Sequence, residues 1–98
     1  MSNINLNTLD DVYRLLLPAA VRNPVGFKPG DTLHAITSED GKTVRLEKAT
    51  EVTGIVIDNL GRINLPKALR QAMDLCAGDK FNVMPSYNGN SITLVCVA

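Results

Sequence analysis

Apolar and polar positions along the chain run through one order and then repeat it. An apolar stretch from Ile4 to Leu9 ends in the polar pair Asp10-Asp11, and a second from Val52 to Ile57 ends in Asp58-Asn59; each reads as a strand entering a turn. Short strands over Arg14–Leu17 and Arg62–Leu65 follow. Each stops at a proline, Pro18 or Pro66, whose fixed φ suits the start of a helix and whose missing N–H is not needed there. Leu69, Ala72 and Met73 fall three and four residues apart, so the spacing predicts a short helix over about Pro66 to Leu75 with one apolar stripe. The first copy carries Pro24 inside the matching span, and its helix is expected to break or shorten near Asn23.

Gly30-Asp31 and Gly78-Asp79 then lead into two hairpins, with tips at Glu39-Asp40-Gly41-Lys42 and Tyr87-Asn88-Gly89-Asn90. Asp-Gly and Asn-Gly predict two-residue type I′ turns, which need positive φ at both central residues. Val44 and Leu46 alternate with Arg45 and Glu47, the pattern of a half-buried strand. Ile92 to Val97 is apolar on both faces except at Thr93, which predicts a central strand or one covered by another chain. Leu17, Leu33, Leu46, Leu65, Phe81 and Leu94 are the expected core.

A shift of 48 residues, without a gap, superposes the two halves of the sequence. It lays Arg14 on Arg62, Leu17 on Leu65, Pro18 on Pro66, Ala20 on Ala68 and Arg22 on Arg70, and it continues through Gly30-Asp31 on Gly78-Asp79 to Leu46 on Leu94. Eleven of the 37 positions from Asp10 to Leu46 are identical to their partners, which is too many for coincidence at one fixed offset. A unit this short cannot bury a sufficient core alone, and only Glu47-Lys48-Ala49-Thr50-Glu51 joins the two. The expectation is a single domain over residues 1–98 in which repeats 1–49 and 50–98 complete each other.

The segment from Thr53-Gly54-Ile55-Val56 through Asp58-Asn59-Leu60-Gly61-Arg62 to Pro66 and Leu69-Arg70 resembles the signature of the AbrB/SpoVT family of bacterial transition-state regulators, to which MraZ- and MazE-like proteins are related. The first copy keeps Arg14, Pro18, Arg22 and Gly30-Asp31 but has Val12-Tyr13 in place of the family's Leu-Gly. What the resemblance implies is a mainly β fold with short helices: a swapped-hairpin, cradle-loop type β-barrel, here formed by two β-α-β-β repeats in one chain. It also implies duplex DNA bound across a face lined by arginines. The sequence departs from the family in lacking the two extra, often basic residues usual between Thr-Gly-Ile-Val and the turn motif, where only Ile57 stands, and in having Gln71 where a second helical arginine is common.

Composition narrows the function classes. Forty-five per cent apolar residues suit one globular domain, while ten Lys and Arg balance ten Asp and Glu, so any nucleic-acid contact must come from a local basic face and not from bulk charge. The start of the chain lacks the basic and apolar regions of a secretion signal, no apolar run approaches the length of a membrane span, and a cytoplasmic protein is expected. Cys76 and Cys96 have no metal-ligand spacing and are expected to be reduced and buried. His34 stands without a nucleophile or carboxylate motif, and nothing resembles a phosphate loop, so no enzymatic activity, cofactor, metal or small-molecule substrate is expected.

The resulting expectation is a DNA-binding transcriptional regulator whose contacts are Arg14, Arg22, Arg62, Lys67 and Arg70. Arginine suits that role because its planar fork can chelate a guanine edge or a phosphate. The competing structural role for Arg14 and Arg62 is an ion pair with the turn aspartates Asp10 and Asp58. Asp31 and Asp79, following glycines, are expected to bond the local backbone. The alternative function is a protein-interaction module, antitoxin-like or regulator-binding, that keeps the barrel without strong DNA binding; self-association is a further possibility.

Overall fold

The computed structural model describes residues 6–49, 54–86 and 89–97. The expected strand residues Ile4, Asn5, Val52 and Thr53 and the hairpin residues Tyr87 and Asn88 lie outside them. The first half contains β1 (Leu6–Thr8), β2 (Arg14–Leu16), α1 (Ala19–Val25), β3 (Thr32–Thr37) and β4 (Thr43–Lys48). The second contains β5 (Ile55–Val56), β6 (Arg62–Asn64), α2 (Lys67–Met73), β7 (Lys80–Pro85) and β8 (Ser91–Val97). The unit is therefore β-β-α-β-β and not β-α-β-β. The polar turn at Asp10 or Asp58 splits the leading β segment into two strands that pair with different partners.

The fold is mainly β, with two short helices against a curled antiparallel sheet that forms a half-barrel. Its six strands run β1-β7-β8-β4-β3-β5, and β2 and β6 form a separate two-stranded ribbon. The leading strand of each half pairs with a strand of the other, β1 with β7 and β5 with β3. Register obeys the sequence repeat: adding 48 turns Asn7 opposite Phe81 into Ile55 opposite Leu33, as observed. Two strand pairs map onto themselves under the same operation. In β2·β6, Leu15 faces Ile63, with Arg14 opposite Asn64 and Leu16 opposite Arg62; in β4·β8, Arg45 faces Thr93. The backbone register thus has a pseudo-two-fold relation passing through those two pairs.

Side chains follow the pleat. Leu15, Leu17, Leu33, Leu46, Ile63, Leu65, Phe81 and Leu94 are all at most 1% exposed and belong to one core drawn from both halves. β8 is central, between β7 and β4, as its apolar run requires.

Three local expectations are overturned. First, α1 is as long as α2 despite Pro24. Pro24 sits one residue from the helix end, so it removes a single bond to the Ala20 carbonyl, and both residues face solvent where water can take its place. Second, the hairpin at Asp40-Gly41 is not a two-residue type I′ turn. Gly41 has φ +69° but Asp40 does not adopt positive φ, and the Gly41 N–H donates to the Ser38 carbonyl at 3.1 Å, closing a wider loop. Asp40 Oδ1 accepts the Lys42 N–H and the Ser38 hydroxyl, so the aspartate stabilises the wider turn from within. Third, Cys76 is exposed and Cys96 only half-buried, both as free thiols. Cys76 follows α2 in a turn whose direction is set by its own N–H donating to Asp79 Oδ2 at 2.8 Å.

Candidate nucleic-acid interface

The site begins with the two polar turns. Asp10 Oδ1 accepts the N–H groups of Val12 and Arg14, and its Oδ2 accepts Nε of Arg14 at 3.0 Å. Asp58 repeats the arrangement with the N–H groups of Leu60 and Arg62 and with Arg62 Nε at 2.9 Å. One carboxylate therefore shapes the turn and holds the arginine that leaves it. The backbone N–H of the arginine, followed by its side chain, depresses the carboxyl pKa below the ordinary value in both cases.

Folded pKa values below the unfolded one give a definite pH dependence. The stability these carboxylates contribute is present above about pH 3.8, their ordinary value, and is lost as pH falls through the depressed folded values. Acid unfolding of the double variant Asp10→Asn/Asp58→Asn should accordingly be less steep below that pH than acid unfolding of the natural chain. Circular dichroism across an acid titration reads the difference, and superposable curves would count against this role of the turns.

β2 and β6 alternate, so Leu15 and Ile63 point into the core and Arg14, Leu16, Arg62 and Asn64 point outward. The Arg14 and Arg62 side chains are 39% and 29% exposed. Among the described residues their terminal nitrogens have no hydrogen-bond partner. Asn64 Nδ2 donates to the Val12 carbonyl at 2.9 Å, tying the ribbon to the first turn.

Arg22 and Arg70 each lie against the turn of the other half. Nε of Arg22 donates to the Leu17 carbonyl at 2.7 Å, and Nε of Arg70 to the Leu65 carbonyl at 3.1 Å. The guanidinium of Arg22 lies over Gly61, and a β-carbon there would come within 3.0 Å of Nη2. Tyr13 holds the corresponding place in the first half, at φ +63°, and the Arg70 guanidinium lies 4.0 Å from its ring centroid. Where glycine opens space an arginine fills it, and where tyrosine fills it an arginine stacks on the ring.

Gly61 has φ +82°, a conformation that costs an L-residue about 1–2 kcal/mol. Gly61→Ala should lower stability by at least about that much, since Arg22 must also shift. A urea titration measures the loss, and an unchanged midpoint would show that the turn relaxes freely.

The sequence-derived candidates are therefore partly united. Arg14 and Arg62 share the ribbon, Arg70 joins Arg14 through Tyr13, and Arg22 joins Arg62 through Gly61. Lys67 opens α2 and is exposed. Sequence reasoning overlooked Leu16, Asn64 and Tyr13. Period-two alternation from Arg14 would have placed Leu16 on the outward face, and alternation from Arg62 would have placed Asn64 there. A tyrosine standing where the other half has glycine marked Tyr13. Among the described residues, no helix is long and apolar enough to cross a membrane.

No protein-family model and no curated protein matches the sequence. Among solved structures, the solution structure of PHS018 from Pyrococcus horikoshii is similar at a TM-score of 0.49 and 18% identity, covering 97% of this chain and 88% of that one.

Proposed function

We propose that the chain is a DNA-binding transcriptional regulator of the AbrB type, built as a swapped-hairpin barrel from two fused repeats, and that its β2·β6 ribbon enters the major groove of duplex DNA. The observation that carries this reading is the outward row Arg14, Leu16, Arg62 and Asn64, in which each arginine is anchored through Nε by its own turn aspartate. A two-stranded ribbon fits the major groove, and arginine and asparagine are the side chains that chelate guanine and adenine edges there. Anchoring at Nε fixes the plane of each fork before binding, which reduces the side-chain entropy lost on contact. Arg22, Arg70 and Lys67 serve as supports or phosphate contacts at the flanks.

Asp10 and Asp58 partly neutralise the face, so affinity rests on a few directed contacts and not on a strong field. Titration of labelled random-sequence duplex by fluorescence anisotropy at low and moderate salt tests the proposal. Binding that weakens with salt, by a slope near 0.9 per cationic contact, is expected. A chain that binds no duplex even at low salt overturns it. That result would favour a protein-interaction module, for which the specific observation is the apolar turn tips Val12 and Leu60, 51% and 66% exposed.

A further inference from the structure

A ribbon made by two identical chains would carry identical residues on both sides of its axis. This one does not. The backbone register is two-fold related, and Arg14 and Arg62 obey the relation, but the positions next to them break it. One rung of the ribbon sets Arg14 opposite Asn64, and the other sets Leu16 opposite Arg62. Both Leu16 and Asn64 are exposed. Asn64 is held by its bond to the Val12 carbonyl, while the corresponding residue in the first half, Leu16, has no group that could bond the Leu60 carbonyl. The turns differ in the same sense. The end with the Arg14–Asn64 rung carries Tyr13 under Arg70, whereas the end with the Leu16–Arg62 rung carries Gly61 under Arg22.

We infer that the chain reads a non-palindromic duplex, with Asn64 and Leu16 as the residues that distinguish its two half-sites. The inference rests on the duplex-binding reading above. Site palindromy mirrors protein two-fold symmetry, so a protein whose reading side chains break the symmetry prefers a site that breaks it too. At one end an arginine fork and a carboxamide favour guanine and adenine edges. At the other an arginine fork beside an isobutyl group favours guanine and a thymine methyl, because polar base edges facing Leu16 lose water without gaining a partner. Each half-site should discriminate its preferred base by about tenfold.

Selection of tight binders from a random duplex library at low salt tests this with the natural chain and with Leu16→Asn. The natural chain should enrich a consensus whose halves differ, and Leu16→Asn, which makes both rungs Arg-Asn, should enrich a two-fold-symmetric one. Asn64→Leu is the independent variant should Leu16→Asn fail to fold by circular dichroism, and it should yield a symmetric consensus of the opposite base preference. A palindromic consensus from the natural chain, or an asymmetric one that survives the symmetrising substitution, overturns the inference while leaving duplex binding intact. No enrichment by the natural chain at all overturns duplex binding itself, and the inference with it.

Discussion

Leu94→Ala should lower the unfolding free energy by about 2–5 kcal/mol, the range for a leucine truncated in a closed core. Leu94 is fully buried in the central strand β8, with Val44 of one half opposite it on one side and Val83 of the other half opposite it on the other. Neither neighbour can move to fill the space without breaking a strand pair, so the cavity should stay open and the cost should fall in the upper part of the range. Leu46 holds the corresponding place in β4, where Ala35 and Ile92 face it. Its smaller neighbour Ala35 is only half-buried, leaving more room for local adjustment, and Leu46→Ala should cost less than Leu94→Ala. Urea denaturation of both variants checks the order. A Leu94→Ala variant as stable as the natural chain would mean that β8 is not packed between the two halves.

The second large effect concerns the ribbon. If Arg14 and Arg62 are the anchored readers proposed, Arg14→Ala/Arg62→Ala should reduce duplex affinity at least tenfold and lower the slope of log affinity against log salt by up to about 1.8, at 0.9 per lost phosphate contact. Loss of base-edge contacts instead would weaken binding while changing the slope little, so the two parameters together tell which atoms of DNA the arginines touch. The variant leaves Asp10 and Asp58 without their side-chain partners, but both carboxylates keep two backbone N–H bonds, and the turns should persist. Stability is to be measured alongside binding for that reason. Unchanged affinity in a folded double variant would remove the ribbon from the interface.

Much of the architecture was legible because repetition doubles every signal. Glycine followed by aspartate was read as a backbone device at both sites, and at both the aspartate Oδ2 accepts an N–H three residues upstream, from Lys28 and from Cys76. Burial of Leu17, Leu33, Leu46 and their counterparts followed from pattern alone. Pro24 was misread because a proline's effect depends on how many helical bonds remain beyond it, and periodicity locates a helix end only to within a few residues. Asp40-Gly41 was misread because the dipeptide is compatible with several turns, and the choice was made by Ser38 and Asp40 side chains bonding within the loop. Cys76 fell outside the core because it lies beyond the apolar stripe of α2. In the candidate site, the aspartate–arginine pairs at four-residue spacing were visible as an alternative role. The crossing of Arg22 and Arg70 to the opposite turns was not, since it depends on which half each helix faces.

Because the strands that pair between the halves belong to one covalent chain, their pairing does not depend on encounter. A dimer held by the same contacts would come apart on dilution, and its melting temperature would rise with protein concentration. Here the partner half is always present at the high local concentration that a short tether imposes. The folded face therefore stays assembled at the low copy numbers at which two separate subunits would part.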